Sequence, residues 1–238
     1  MICFLTSCTV IPGTETLNPA NHFIEALRRY FPPNCHALYI CSDPEDHGIT
    51  DFYASSTRKG FDEAGFRFGQ FVILDGRNEK EAPALVRNAD FIILAGGHVP
   101  TQNRFFNRIG LRELLKDFPG VIVGISAGSM NAADIVYAQP EAEGEAIDPG
   151  YLRFLTGLNL TKNMLLPHYQ MVRNSMLDGL RLFDDITCAD SFGKTFYAIP
   201  DGSYLLIRGG KEELRGEAYA IRDGFISRIS DEGDTTWL

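Results

Sequence analysis

Val121-Ile122-Val123-Gly124-Ile125-Ser126-Ala127-Gly128-Ser129-Met130-Asn131 passes from a β-branched apolar run, through Gly-x-Ser-x-Gly, into small and polar residues that suit a helix start. That order predicts a strand, a tight turn and a helix. A residue squeezed between a strand end and a helix start adopts a sparsely populated backbone conformation. Neighbours without bulk make it tolerable, which accounts for glycine two positions to either side of Ser126. The Ser126 hydroxyl would then stand above the end of the sheet, beside unpaired helix N–H groups able to stabilise an oxyanion. The plainer reading is a glycine-rich turn whose serine caps the helix. The legible strand before it and helix after it favour a nucleophile.

Four apolar runs precede this stretch: Ile2–Thr6, His36–Cys41, Phe68–Leu74 and Phe91–Leu94. Between them the sequence predicts helices over Asn18–Tyr30, from the Asp43–Gly48 loop through Ala64 with Gly65 as its cap, and over Glu79–Asn88. Gln102–Lys116 reads as the helix leading into the Ser126 strand. Strands that are apolar at nearly every position are buried on both faces, so the pattern predicts a mostly parallel sheet flanked by helices. Further on, Met164–Tyr169 reads as a short strand delivering His168, and Val172–Phe183 as a helix. Lys194–Ile199 and Ser203–Arg208 read as strands joined by Pro200-Asp201-Gly202, and Glu217–Ile221 with Phe225–Ile229 as a terminal hairpin. No linker, repeat or low-complexity run divides the 238 residues, so a single α/β domain is expected.

The formal charge of −9 and pI near 5.0 argue against a nucleic-acid partner, which needs a clustered basic face. The opening Ile2-Cys3-Phe4-Leu5-Thr6 lacks the basic start of a secretory signal, and no run approaches the length of a membrane span, so a cytoplasmic enzyme is expected. The five cysteines form no C-x-x-C pair, and the histidines lack close H-x-x-x-H spacing. Neither a metal site nor a cofactor is expected.

In an open parallel sheet, ligands gather beyond the carboxyl ends of the strands. Ala95-Gly96-Gly97-His98 and the Ser126 turn would face one crevice there, with the N–H groups of Gly96, Gly97 and Ala127 as a potential oxyanion hole. A plain turn explains the two glycines equally well. A serine hydroxyl needs a base, and histidine suits the task at neutral pH. His22, His36 and His47 fit ordinary surface or packing positions. His168, at the end of an apolar strand, is preferred as base over His98, which is assigned to the lining of the substrate pocket. For the carboxylate that orients the imidazole, Glu141 or Glu143 of the acidic loop and Asp201 of the rigid Pro-Asp-Gly turn remain open.

Taken together, Gly124-Ile125-Ser126-Ala127-Gly128, Gly96-Gly97 after an apolar strand, Pro167-His168-Tyr169 and Ile199-Pro200-Asp201-Gly202 resemble, in order and over most of the chain, the serine peptidase family of aspartyl dipeptidase (peptidase E) and cyanophycinase. The resemblance implies a class I glutamine amidotransferase-like, flavodoxin-like three-layer α/β sandwich, here with a C-terminal β-hairpin. It implies Ser126 as nucleophile, His168 as the histidine of the Pro-His motif, and Gly96, Gly97 and Ala127 as the oxyanion region. The dipeptidase branch would put the acidic partner at Glu141, the cyanophycinase branch at Asp201. His98 stands where these enzymes usually carry Asn, and the preference for aspartate does not transfer. The expected activity is hydrolysis of short peptides, as a dipeptidase or other exopeptidase, by a protein compatible with a homodimeric state. Competing readings are a binding protein on the same scaffold and a glutamine amidotransferase. The latter is weakened by serine where those enzymes carry cysteine.

Overall fold

The computed structural model describes residues Met1–Leu238. Strand β1 (Ile2–Thr6) is followed by helix α1 (Phe23–Arg28), β2 (Cys35–Ile40), α2 (His47–Glu63), β3 (Phe68–Leu74), α3 (Ala82–Asn88) and β4 (Phe91–Leu94). Helices α4 (Val99–Arg108) and α5 (Leu111–Leu115) lead to β5 (Val121–Ile125), which runs into α6 (Ala127–Asn131). The five strands pair in parallel in the order β1-β5-β4-β2-β3.

Alternation along these strands sends side chains to two separate cores. Leu5, Leu38, Ile40, Ile92, Leu94 and Ile122 pack beneath α3, α4 and α5. Phe4, Ala37, Tyr39, Phe91, Ile93 and Val123 pack beneath α1 and α2. Both faces are covered, which is why the strands read as continuously apolar. The result is the three-layer α/β arrangement that the pattern predicts.

The second half of the chain builds a smaller unit against one end of this sandwich. Strands β6 (Ile135–Tyr137) and β7 (Phe154–Thr156) form a ribbon, and β8 (Met164–Leu166) leads into α7 (Tyr169–Val172). A two-residue hairpin follows, β9 (Met176–Leu177) and β10 (Leu180–Arg181), then a π-helical turn over Leu182–Thr187 and α8 (Cys188–Asp190). Strand β11 (Thr195–Ala198) runs parallel to β8. Strands β12 (Tyr204–Arg208) and β13 (Lys211–Arg215) extend the main sheet beyond β1. Strands β14 (Ala218–Arg222) and β15 (Phe225–Ser230) form the terminal hairpin against β11, and β16 (Thr235–Trp237) edges the main sheet. A third core joins the small sheet to the segment after α6, centred on the stacked rings of Tyr137 and Phe196, 4.2 Å apart.

Three expectations need correction. The helix expected over Asn18–Tyr30 is regular only at Phe23–Arg28, because Asn21 and His22 take left-handed φ values of 53° and 59°. Tertiary bonds drive this: the Asn21 amide donates to the Gly202 carbonyl and accepts from the Gly233 N–H. The Gln102–Lys116 helix is two helices, with left-handed Gly110 between them. The Val172–Phe183 helix gives way to the β9–β10 hairpin, since Asp178 and Gly179 both have positive φ, as a tight hairpin turn requires. Pro200-Asp201-Gly202 joins two strands as expected; these belong to different sheets, so the turn carries the chain from the small sheet to the large one.

Phe91 is fully buried, with its ring 5.3 Å from Phe31 and 5.8 Å from Phe61. Phe91→Ala is expected to cost about 3–5 kcal/mol in urea unfolding.

Candidate active site

The turn after β5 is held by the end of β1. Ser126 has φ 49° and ψ −112°, a conformation that costs about 1–3 kcal/mol for a non-glycine residue. Its N–H donates to the Thr6 carbonyl at 3.1 Å, and the Ser129 hydroxyl donates to the same carbonyl at 2.8 Å. Its own carbonyl accepts from the N–H groups of Ser129 and Met130. Gly128 lets this turn lie close against β4: a Cβ there would stand 2.3 Å from the Leu94 carbonyl oxygen. On the other flank, a Cβ at Gly124 would crowd Ser129 at 2.9 Å.

Beyond Ser126 the hydrogen bonds run outward in a line. The His168 Nε2 atom lies 3.0 Å from Ser126 Oγ, and its Nδ1 lies 2.8 Å from Asp201 Oδ1. An ionised carboxylate only accepts, so in the neutral ring the proton is on Nδ1 and Nε2 accepts from the serine hydroxyl. Parallel pairing of β8 with β11 brings the two partners together, because Leu166 lies opposite Ala198 and both chains continue past the same edge. His168 itself has a left-handed φ of 59° at the N-cap of α7, and its side chain makes no capping bond to that helix.

One buried residue fastens both partners. The Ser7 hydroxyl donates to Asp201 Oδ1 at 2.7 Å and accepts the His168 backbone N–H at 2.7 Å. Gln170 accepts the Asp201 N–H at 3.0 Å. Burial acts to raise the Asp201 pKa, but the bonds from His168 and Ser7 outweigh it and hold the carboxyl below the usual range.

The other expected site residues lie around this line. Gly96 lies against the serine: a Cβ there would be 3.4 Å from the Ser126 Cβ. Ala127 opens α6, so its N–H has no acceptor within that helix. Glu141 does not reach His168: its Oε1 accepts the Val99 N–H at 3.1 Å. Glu143 is exposed. His98 does not line the cavity beside Ser126. Its Nε2 contacts Glu145 Oε1 at 2.8 Å and its Nδ1 contacts Thr101 Oγ1 at 2.8 Å. The imidazole thus ties the acidic loop to the start of α4. Ser7 belongs to none of the sequence motifs, and its place directly after a strand whose carboxyl end faces the crevice is the one signal for it.

The cavity has a volume of about 290 Å³. Ser126 and His168 form one side, and Met130, Val172, Leu177 and Leu182 contribute apolar surface. Residues from α7 and the β9–β10 hairpin line it because Asp178 anchors that hairpin to the acidic loop, accepting the N–H groups of Gly144 and Ala146. No helix of the protein is long and apolar enough to cross a membrane.

The model of peptidase family S51 matches residues 3–215. Among solved structures, the chain is similar to a peptidase from an acI-B1 Actinobacterium, with TM-score 0.69 and 14% identity over 100% of this chain and 96% of that one. It is also similar to a protein of Listeria monocytogenes EGD-e assigned as a peptidase E, with TM-score 0.57 and 18% identity over 96% of this chain and 98% of that one. Both likenesses are of fold. No curated protein matches the chain.

Because the folded-state pKa of Asp201 lies below its unfolded value of about 3.9, the stability it adds is present above that value and is lost as pH falls through the native pKa. The stability difference between wild type and Asp201→Asn, measured by urea unfolding, is expected to shrink as pH is lowered below about 4.

Proposed function

The chain belongs to peptidase family S51, and from that premise we propose that it hydrolyses short peptides through an acyl-enzyme. Ser126 is the nucleophile, His168 the general base and Asp201 the carboxylate that orients the imidazole. The observation carrying this reading is the unbroken line from Ser126 Oγ through both His168 nitrogens to Asp201 Oδ1, at 3.0 and 2.8 Å.

In the first step Ser126 Oγ attacks the scissile carbonyl while Nε2 of His168 takes the hydroxyl proton. The imidazolium that forms is stabilised by Asp201, which stays ionised. The N–H of Ala127, with backbone N–H groups of the Gly96-Gly97 loop, receives the charge that develops on the carbonyl oxygen. His168 then returns its proton to the leaving amine, and water, activated by the same ring, hydrolyses the ester. Ser7 acts as a positioning residue, holding the Asp201 carboxylate and the His168 main chain at once. The small cavity, closed on one side by the acidic loop, suits exopeptidase action such as dipeptide cleavage.

A fluorophosphonate probe should label Ser126 of the wild-type protein, and Ser126→Ala should abolish the labelling. Asp201→Asn is expected to lower kcat by about 10⁴, whereas Glu143→Gln should leave it unchanged. Equal effects of the two substitutions would remove Asp201 from its assigned role. Ser7→Ala should lower kcat with little change in KM and shift the acidic limb of the pH profile, and Ser7→Thr, which keeps the hydroxyl, should restore part of the loss. A uniform rise in KM with an unaltered profile would contradict the positioning role.

A further inference from the structure

The cavity beside Ser126 has an uneven charge. Neither lysine nor arginine lines it, and its only ionisable groups besides the Ser126 hydroxyl are the His168 ring and the Glu141 carboxylate. The remaining surface is apolar or neutral, with Gln139 and Ser175 as its uncharged polar members.

Glu141 is held in place rather than trailing from a mobile loop. Its backbone N–H and that of Ala142 donate to Glu145 Oε2, at 2.9 and 3.0 Å, and Glu145 is tied in turn to His98. Glu141 Oε1 accepts the Val99 N–H at the start of α4 and lies 4.0 Å from His98 Nε2. Its other carboxylate oxygen has no hydrogen-bond partner in the protein. The Glu141 side chain keeps 47% of its surface exposed, and the partial desolvation of its carboxyl against the cavity wall, opposed by the Val99 N–H, pushes it above the ordinary glutamate range. A carboxylate fixed at the wall of a mostly apolar cavity, with no lysine or arginine paired to it and only the His98 and His168 rings nearby, lacks a permanent complementary charge.

We propose that Glu141 determines the substrate class of this site by receiving an ammonium group of the peptide, so that the enzyme selects cationic and rejects acidic acyl residues. This rests on the serine-peptidase reading above. The ammonium has two chemical sources, the α-amino group of the residue whose carbonyl is attacked, or the side chain of a lysine-like residue at that position. An aspartyl side chain in the same place would meet Glu141 with no lysine or arginine in the wall to oppose it, the reverse of what an aspartate-selective pocket needs.

The test begins with wild-type full-length protein and the fluorophosphonate probe, read at Ser126 by mass spectrometry. Hydrolysis is then compared within two pairs of aminocoumarin amides: leucyl against N-acetylleucyl for the α-amino source, and Nα-acetyl-lysyl against Nα-acetyl-norleucyl for the side chain. One pair should show a preference for its ammonium-bearing member of about 10- to 100-fold in kcat/KM, the range of a charged hydrogen bond. Glu141→Gln should erase that preference chiefly through KM, and Glu141→Arg should raise cleavage of an aspartyl amide above that of the leucyl one. Labelled Ser126 with equal cleavage inside both pairs, with no cleavage of either ammonium-bearing amide, or with a preference that survives Glu141→Gln, overturns the proposal and leaves the peptidase reading standing. A folded wild-type protein that resists the probe overturns the peptidase reading, and the proposal with it.

Discussion

Two consecutive residues at the end of the central strand hold the candidate site together. The Thr6 carbonyl takes the N–H of Ser126 and the hydroxyl of Ser129, pinning a backbone conformation that a free chain would abandon. The next residue, Ser7, grips the carboxylate of Asp201 and the main chain of His168. The strand is parallel to β5 on one side and antiparallel to β12 on the other, so its position is fixed by a full set of ladder bonds before any side chain is considered. The strained turn and the two groups beside it therefore share one rigid support, and each can be held to within hydrogen-bonding tolerance of the others.

The site also lies at a seam. Ser126 comes from the large sheet, His168 from the end of a strand in the small one, and Asp201 from the turn that passes between them. The apolar cluster around Tyr137, Phe196 and Tyr169 packs the small sheet against Ala127 and Met130 of α6 and Val99 of α4, and its burial offsets the cost of holding a partly buried acid next to an imidazole. The acidic loop and the β9–β10 hairpin close around the same seam through Asp178, Glu145 and His98. The cavity wall is consequently made of short elements tied by polar contacts, while Ser126, His168 and Asp201 stand just beyond the ends of sheet strands.

Much of this was legible in residue order. The five parallel strands appeared as apolar runs because helices cover both faces, and the glycines around Ser126 announced a turn with no room for side chains. His168 and Asp201 were visible as polar residues at the ends of apolar strands. The acidic partner stayed open between Glu141, Glu143 and Asp201 because distance through space is not written in spacing. Only the parallel pairing of β8 with β11 puts Asp201, rather than the nearer Glu141, against the ring. Segments 18–22 and 172–183 carry a helical pattern that the fold overrides for a similar reason. Helical periodicity there was outweighed by left-handed residues, and at Asn21 these are stabilised by partners nearly two hundred residues away, a contact that local propensity does not contain.

The sequence by itself determined the layered α/β architecture, the tight turn at Ser126 and the presence of a histidine at the end of an apolar strand, since each follows from local periodicity, steric room and side-chain chemistry. The tertiary structure alone decided which carboxylate meets the imidazole, that Ser7 supports both, that His98 turns toward Glu145 and away from the cavity, and that the cavity bears a carboxylate with no lysine or arginine beside it. Those outcomes depend on how two sheets meet, and that meeting is set by the packing of residues far apart in the chain.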